Sequence, residues 1–423
     1  MNGFNLSDIT DAKLGTTTLG SIYLGSTKLW PLGTDYSKEY LTFESLADNN
    51  TITWTFTGSD PIQNVIYWSK NGTSWTSAIA STSDTPVSLA TLNKGEKMYL
   101  KGENVTYALS KSAYSHFNSD YEFNVSGNIM SLIYGDNFIG QTTLSSSYNF
   151  TGIFRSSKVY DASNLILPAT TLTKYCYRNM FYGCTSLTAA PELPATTLAD
   201  ICYAYMFSGC TSLTAAPELP ATTLTGTYCY YNMFYGCTSL VTAPVLPATT
   251  LTSSCYAYMF EGCSSLATAP ELPATTLANS CYMSMFAGTK ITAAPELPAT
   301  TLADSCYRNM FYGCASLRYQ PTLNATILQP RCYQHMFFGC TSLKTAPELP
   351  AKTLVTYCYA YMFQNCTSLS YIKCLATNIS ASNSHDYWLY NVASTGKFVK
   401  PISMHAWPAS AHGIPSSWTV VNV

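Results

Sequence analysis

Cysteine recurs at 176, 202, 229, 255, 281, 306, 332 and 358, in steps of 26, 27, 26, 26, 25, 26 and 26 residues. Self-similarity at a fixed period near 26 marks an array of stacked units, in which no coil buries its apolar side alone. The second copy shows the unit: Cys202-Tyr-Ala-Tyr-Met-Phe-Ser-Gly-Cys210, then Thr-Ser-Leu213, Ala216-Pro-Glu-Leu-Pro220 and Ala-Thr-Thr-Leu224. Cys202, Met206 and Cys210 fall at i, i+4 and i+8 with Tyr203 and Phe207 beside them, which predicts a short helix with one apolar stripe, ended by Gly209. Leu213 to Leu219, holding Pro217, is too short for a helix and is expected to be the strand that lines the array's sheet. Pro220 to Leu224 makes the return turn.

Both ends of the array lose the pattern, as terminal caps do. Phe150 to Leu172 keep Ile153-Phe154 and Leu167-Pro-Ala-Thr-Thr-Leu172 but have no cysteine. Past Leu369 the pattern decays through Ile372, Cys374 and Ile379, and Tyr387-Trp-Leu-Tyr-Asn-Val392 stands where another Cys-Tyr-x-x-Met-Phe would fall. Ahead of the array, Thr51-Ile-Thr-Trp-Thr-Phe-Thr57 and Val65-Ile-Tyr-Trp68 alternate and are followed by Asn71-Gly72, which predicts strands joined by a tight turn. Residues 37–149 are therefore read as a β-sandwich-like domain with connecting strands, the stretch from 121 leading into the array. Leu14-Gly-Thr-Thr-Thr-Leu19 and Leu24-Gly-Ser-Thr-Lys-Leu29 form a tandem of β-hairpin character, too small to fold alone. The division expected is an anchor-like hairpin segment (1–36), the sandwich-like domain (37–149), the array with its caps (150–400) and a capping tail (401–423), in a chain that is mainly β with short helices.

Only 10% of the 423 residues are charged, and 21 Lys+Arg against 23 Asp+Glu leave a net charge of −2. No basic field exists to hold phosphate backbones or anionic lipid, so nucleic acid is not an expected partner. No apolar run approaches the roughly 18 residues of a membrane span. Met1 to Trp30 also lacks the basic and apolar regions of a signal peptide, so neither membrane insertion nor Sec export is expected.

Sixteen cysteines suit a disulfide framework, a metal array or a buried ladder. The eight-residue spacing within a unit and the single histidine among the cysteine-bearing units, His335, argue against metal. Thr289 replaces the second cysteine of the fifth unit, which favours reduced thiols acting as small buried hydrophobes. No nucleophile with base and orienting group, paired carboxylates or Gly-rich phosphate loop appears, so no enzymatic activity and no cofactor are expected. His385, His405 and His412 share the C-terminal stretch with Asp386 and tryptophans. Aromatic cap packing is the reading there, with a catalytic site as the alternative.

Glu192, Glu218, Glu271, Glu296 and Glu348 occupy one position of the unit, just before the inward Leu of each strand, and Val245 and Thr322 interrupt them. They are expected to form a broken acidic column on a concave face, either for a basic or hydroxyl-rich partner or a cation, or as a solvated face that blocks edge pairing. A second set lies between the helix anchors and changes from copy to copy; Tyr205, Tyr231, Tyr258, Arg308 and Tyr361 are its candidate contact residues. Tyr, Asn, Arg and Ser, which dominate that set, are favoured on adaptable binding surfaces.

The units, with Met-Phe-x-Gly-Cys-Thr-Ser-Leu followed by a Pro-flanked strand, resemble the BspA-like leucine-rich repeats, whose usual form carries Ala-Phe-x-x-Cys-x-x-Leu, over about 150 to 400. The unit here is longer, with Ala-Pro-Glu-Leu-Pro-Ala-Thr-Thr-Leu in place of a shorter segment. The resemblance implies a leucine-rich-repeat solenoid that serves adhesion and surface recognition. Gly413-Ile-Pro-Ser-Ser-Trp-Thr-Val420 looks like the close of many such proteins from gut Bacteroidetes and their phages, and Leu24-Gly-Ser-Thr-Lys-Leu-Trp30 like N-terminal pieces of phage structural proteins. The function this implies is that of a non-enzymatic bacteriophage virion protein of tail- or head-fibre type. Its N-terminal segment would attach to a virion protein, and its repeats would contact a bacterial surface protein or polysaccharide. The alternative is a Bacteroidetes cell-surface adhesin or scaffold binding host proteins, which places the chain on the cell surface instead of the virion. A homo-oligomer stays open, since fibre proteins are often trimeric and no coiled-coil heptad is present to impose it.

Overall fold

A computed structural model describes residues 35–58, 64–80, 85–404, 407–408 and 412–423, together with the backbone of four short strands ahead of them. These four pair as two antiparallel ribbons: β1 (Lys13–Leu14) with β2 (Thr17–Thr18), and β3 (Ile22–Leu24) with β4 (Thr27–Trp30). Most of the anchor-like segment 1–36 lies outside the described residues, as does His405.

Nine strands follow: β5 (Leu41–Ser45), β6 (Asn50–Thr57), β7 (Val65–Ser69), β8 (Thr76–Ile79), β9 (Val87–Leu92), β10 (Lys97–Gly102), β11 (Tyr114–Ser119), β12 (Phe123–Asn128) and β13 (Val159–Ile166). They form a six-stranded sheet in the order β13-β12-β5-β10-β7-β8 and a three-stranded sheet in the order β11-β6-β9. Asn71-Gly72 sits in the link between β7 and β8, as expected; the Asn71 side-chain oxygen accepts from the Thr73 and Ser74 N–H groups, and Gly72 takes φ +72°. The period-two alternation buries Ile52, Trp54 and Phe56 of β6 and Phe43 of β5. Phe43 meets Phe117 of β11 at 5.0 Å between ring centroids, so the two sheets share one core. Among the described residues the only α-helix is α1 (Ser131–Tyr134), a single turn.

The array begins without a break in this core. Strand β13 pairs in parallel with β12 and is itself followed by the array, Ala162 N–H donating to Ala189 O. Phe154 touches both Phe43 (5.9 Å) and Phe117 (6.1 Å) and stacks on Phe181 (5.3 Å), so the N-terminal sheets close one end of the stacked coils. Two ring columns then run the length of the array. One is Tyr177, Tyr203, Tyr230, Tyr256, Tyr282, Tyr307, Tyr333 and Tyr359, with neighbouring centroids 5.6 to 6.1 Å apart. Phe150 begins it, and Trp388 stacks on Tyr359 at 6.3 Å and on Trp407 at 5.0 Å to end it. The other column is the phenylalanines from Phe154 to Phe363.

The expected helix at Cys202 to Cys210 is not one. Ile201, Tyr205 and Gly209 have φ of +59°, +59° and +75°, and the same left-handed corners return in every unit. Between corners the N–H groups alternate. Those of Ala204, Met206, Ser208 and Cys210 close four-residue turns within the coil, whereas those of Tyr203, Tyr205, Phe207 and Gly209 donate to Cys229, Tyr231, Met233 and Tyr235 of the next. An α-helix would keep all of these donors to itself and leave the coils unbonded. A left-handed corner costs a non-glycine residue about 1–2 kcal/mol, and the hydrogen bonds to the next coil offset it.

The expected strand at Leu213 to Leu219 is also reduced. Neighbouring coils are joined by isolated parallel bridges, Ala215 to Thr242 and Thr223 to Thr250, and not by a continuous ladder. Pro217 and Pro220 supply no N–H, which interrupts any ladder there. Beyond the β12–β13 pair at its start, continuous parallel pairing returns past the last Pro-Glu-Leu-Pro segment, where β14 (Tyr371–Lys373), β15 (Lys397–Lys400) and β16 (Thr419–Asn422) form a three-stranded sheet.

Candidate binding surface

The inward Leu of each unit (Leu193, Leu219, Leu246, Leu272, Leu297, Leu323, Leu349) is buried, and alternation puts the preceding side chain outside. Glu192, Glu218, Glu271, Glu296 and Glu348 are accordingly exposed. Glu348 is paired: Lys373, which holds the same position one coil later, reaches its carboxylate at 2.9 Å. Glu192, Glu218, Glu271 and Glu296 have no ion-pair partner among the described residues. At Val245 the column changes chemistry. Val245 and Val241 are 64% and 56% exposed and line a hollow of about 430 Å³ with Ala243, Pro244, Ala269, Pro270 and Glu271. Val245 is visible in the sequence as an interruption; Val241 carries no such signal, because it stands in the variable link after Leu240.

The set expected to be exposed between the helix anchors lies differently. Ala204, Ala257, Ala360, Asn179, Asn232, Ser284 and Gln334 are buried, and Tyr205, Tyr231, Tyr258, Arg308 and Tyr361 are half-buried. The turn geometry is the reason. The second residue of each pair is a left-handed corner, and the pair shares one space. Where the corner is a tyrosine (Tyr205, Tyr258, Tyr361) the residue before it is alanine; where the corner is Asn or Ser, the residue before it is Arg178, Tyr231, Met283 or Arg308. One large group per coil results, and these groups pack along the array: Tyr205 to Tyr231 and Tyr231 to Tyr258 meet edge to face at 5.4 Å, and His335 stacks on Tyr361 at 4.6 Å. Burial, with Arg308 nearby, pushes the His335 imidazole down to about 4, so the stripe is uncharged there at neutral pH.

All sixteen cysteines are free and buried. The second cysteine of each unit does more than fill space. Cys210 Sγ donates to Phe181 O at 3.1 Å, and Cys237, Cys263, Cys340 and Cys366 repeat the contact at 3.0 to 3.1 Å to the Phe carbonyl of the preceding coil. Thr289 replaces this donor with a hydroxyl that turns to its own coil, giving Phe286 O at 2.8 Å. The native protein is expected to show no thiol reactive toward Ellman's reagent within minutes, and all sixteen after denaturation. Several fast-reacting thiols in the native state would contradict the burial.

At the C-terminal end, Ser384 Oγ lies 2.9 Å from His385 Nδ1, but Ser384 is fully buried, and Asp386 faces His412 at 3.4 Å. Serine, histidine and aspartate are therefore not brought into a relay. The His385 ring packs edge-on against Trp407 at 5.3 Å. Among the described residues no group of three His, Cys, Asp or Glu side chains could hold a metal ion, and no helix is long and apolar enough to cross a membrane. One N-terminal cluster has no counterpart among the sequence signals: Lys101 Nζ binds Asp136 at 2.7 and 2.8 Å, lies 4.3 Å from the Trp75 ring centroid, and shares Asp136 with the Tyr40 hydroxyl at 2.7 Å. Its members come from four separate stretches of chain, so no local motif announces it.

Comparison with known proteins bears on the array. The family model described as the BspA type leucine rich repeat region, in six copies, matches residues 174–318 and 279–402, together more than half of the chain. No curated protein matches it. The stacked units with their Met-Phe-x-Gly-Cys cores and periodic Leu positions are those of this family, and the chain belongs to the BspA-type leucine-rich-repeat proteins.

Proposed function

We propose that this is a non-enzymatic recognition protein of a bacteriophage virion, a tail- or head-fibre component that holds a bacterial surface ligand against its repeat array. On this reading the array is a solenoid, the two N-terminal sheets form a sandwich-like domain that closes its end, and the segment 1–36 attaches to a virion protein. The observation that carries recognition is the acidic column: four carboxylates at coil spacing, exposed and without counter-charges among the described residues. Side chains fixed by stacked coils bind at low entropic cost, and an unpaired carboxylate row steers a cationic partner.

Two measurements test the two halves of this reading. Replacing Glu218, Glu271 and Glu296 together by glutamine is expected to weaken binding to target cells about tenfold at low salt. Because all three side chains are exposed, Tm should move little. Unchanged binding would remove the column from the recognition surface. Peptide mass spectrometry on purified phage particles, set beside the washed cell-surface fraction, tests the location. Peptides from both Met1–Trp30 and the repeats at defined stoichiometry in particles are expected, whereas absence from particles with the chain on cells leaves a Bacteroidetes surface adhesin.

A further inference from the structure

The acidic column is broken at Val245 by an apolar hollow. Its floor and walls are Val241, Val245, Ala243, Pro244, Ala269 and Pro270, with Thr242, Thr268 and Glu271 completing it. Two valines more than half exposed line this one hollow together with Glu271, an apolar patch with charge at its rim, which is the usual make-up of a protein contact site. A second hollow of about 360 Å³ adjoins it, sharing Ala269 and Glu271 and reaching Pro273, Pro295 and Glu296. In the column Glu218 stands one coil before Val245, Glu271 one coil after it and Glu296 two.

We propose that this hollow anchors an apolar side chain flanked by lysines in an extended segment of a partner protein. The proposal rests on the acidic column being a recognition face. The lysine half comes from the molecule itself: Lys373, one coil beyond Glu348 in the same column, reaches that carboxylate at 2.9 Å, so an ammonium on this face at coil spacing meets a glutamate directly. The apolar half comes from Val241 and Val245, whose exposed surface an apolar group covers without losing hydrogen bonds to water. The spacing fits an extended chain laid along the column. Glu218 and Glu271 stand two coils apart, roughly 10 Å at the usual strand separation. Residues i and i+4 of an extended chain lie about 13 Å apart, and flexible lysine stems close that difference, leaving residue i+2 over Val245. The proline-rich backbone on both sides holds the rim in place, so little ordering is required on binding.

The probe is a labelled peptide with the core Lys-Thr-Leu-Thr-Lys, compared with Lys-Thr-Ser-Thr-Lys, titrated by fluorescence anisotropy against the full chain at low salt. The leucine peptide is expected to bind about tenfold more tightly than the serine peptide, and the variant V241S/V245S to lose that difference while keeping the serine peptide's affinity. Equal affinity of the two peptides for the native chain would overturn the anchoring role and leave the acidic column standing. Binding of neither peptide would overturn the column reading and the anchor with it. Both valines are solvent-exposed, so a Tm matching the native chain is expected of the variant. Should its Tm fall, the peptide pair on the native chain alone decides the matter.

Discussion

Raising the pH from about 8 to about 10 is expected to unfold this protein in one steep step, far more sharply than an ordinary globular domain. The cause is the sixteen buried thiols. Burial pushes Cys202, Cys237, Cys255 and Cys306 up to about 12 and Cys314 to about 11, and the others move in the same direction. In the unfolded chain the same thiols ionise near about 8.5. The folded state therefore keeps protons that the unfolded state releases. The stabilisation is fully present below about pH 8.5 and is lost as pH climbs toward about 12. Each such thiol removes up to about 1.4 kcal/mol of stability per pH unit once the unfolded form is ionised. A typical domain has only about 5–15 kcal/mol to lose, so sixteen acting together exceed it within about one unit. Tyr203, Tyr256 and the other column tyrosines, shifted upward by the same burial, add to the loss above about pH 10. Thermal melts followed by circular dichroism at stepped pH check this. A Tm at pH 10 within a few degrees of that at pH 7 would mean that water reaches the thiols in the native state.

The thiols illustrate how far the sequence could be read. Period and burial were legible, because a residue type that returns every 26 positions beside Tyr, Met and Phe has to face the stack. The acidic column was legible for the same reason, since a fixed offset from an inward Leu fixes the outward direction. The backbone between Cys202 and Cys210 was not. Apolar residues at i, i+4 and i+8 fit a helix and fit equally a strip of turns with a corner at every fourth residue. The distinguishing signal was present in Asn179 with Gly183, Asn232 with Gly236, and Asn309 with Gly313, pairs of residues tolerant of positive φ at a spacing of four. Tyr205 and Tyr258 at the same corners obscured it. The exchange of large and small residues between neighbouring positions, as in Ala204-Tyr205 against Tyr231-Asn232, has the form of free variation in the sequence, because the shared stripe that couples the two positions exists only between coils. The Lys101, Asp136, Tyr40 and Trp75 cluster depends wholly on long-range pairing and had no local trace.

Phe260→Ala is expected to cost about 3–5 kcal/mol and, more tellingly, to divide the unfolding of the array into two steps. The Phe260 ring is fully buried between Phe234 (5.7 Å) and Phe286 (5.8 Å), so its removal opens a cavity across two coil interfaces. The site is chosen because the stitching is already thinnest there. Every other Phe carbonyl from Phe154 to Phe337 accepts a thiol from the following coil, but the fifth unit has Thr289 in place of that cysteine, and its hydroxyl turns to Phe286 O. Among the described residues Phe260 O is left with the Cys263 N–H at 3.1 Å. The same unit is one residue shorter, Gly288-Thr289-Lys290-Ile291 standing for Gly209-Cys210-Thr211-Ser212-Leu213, so its link to the next segment is also the tightest. Stability in a stack of coils is carried by each coil and its contacts with neighbours, and a loss at one interface uncouples the two sides instead of spreading over the whole. Trp54 and Trp75 lie before the array and Trp388 and Trp407 at its end, while peptides from each coil can be followed separately by hydrogen exchange. In the Phe260→Ala variant the peptides on the two sides of residue 260 are expected to exchange with different denaturant midpoints, and Thr289→Cys in the native background to raise protection at that interface. A single transition with every coil shifted equally would show that the array is coupled over more than nearest neighbours, and that the missing thiol donor has no part in where it opens.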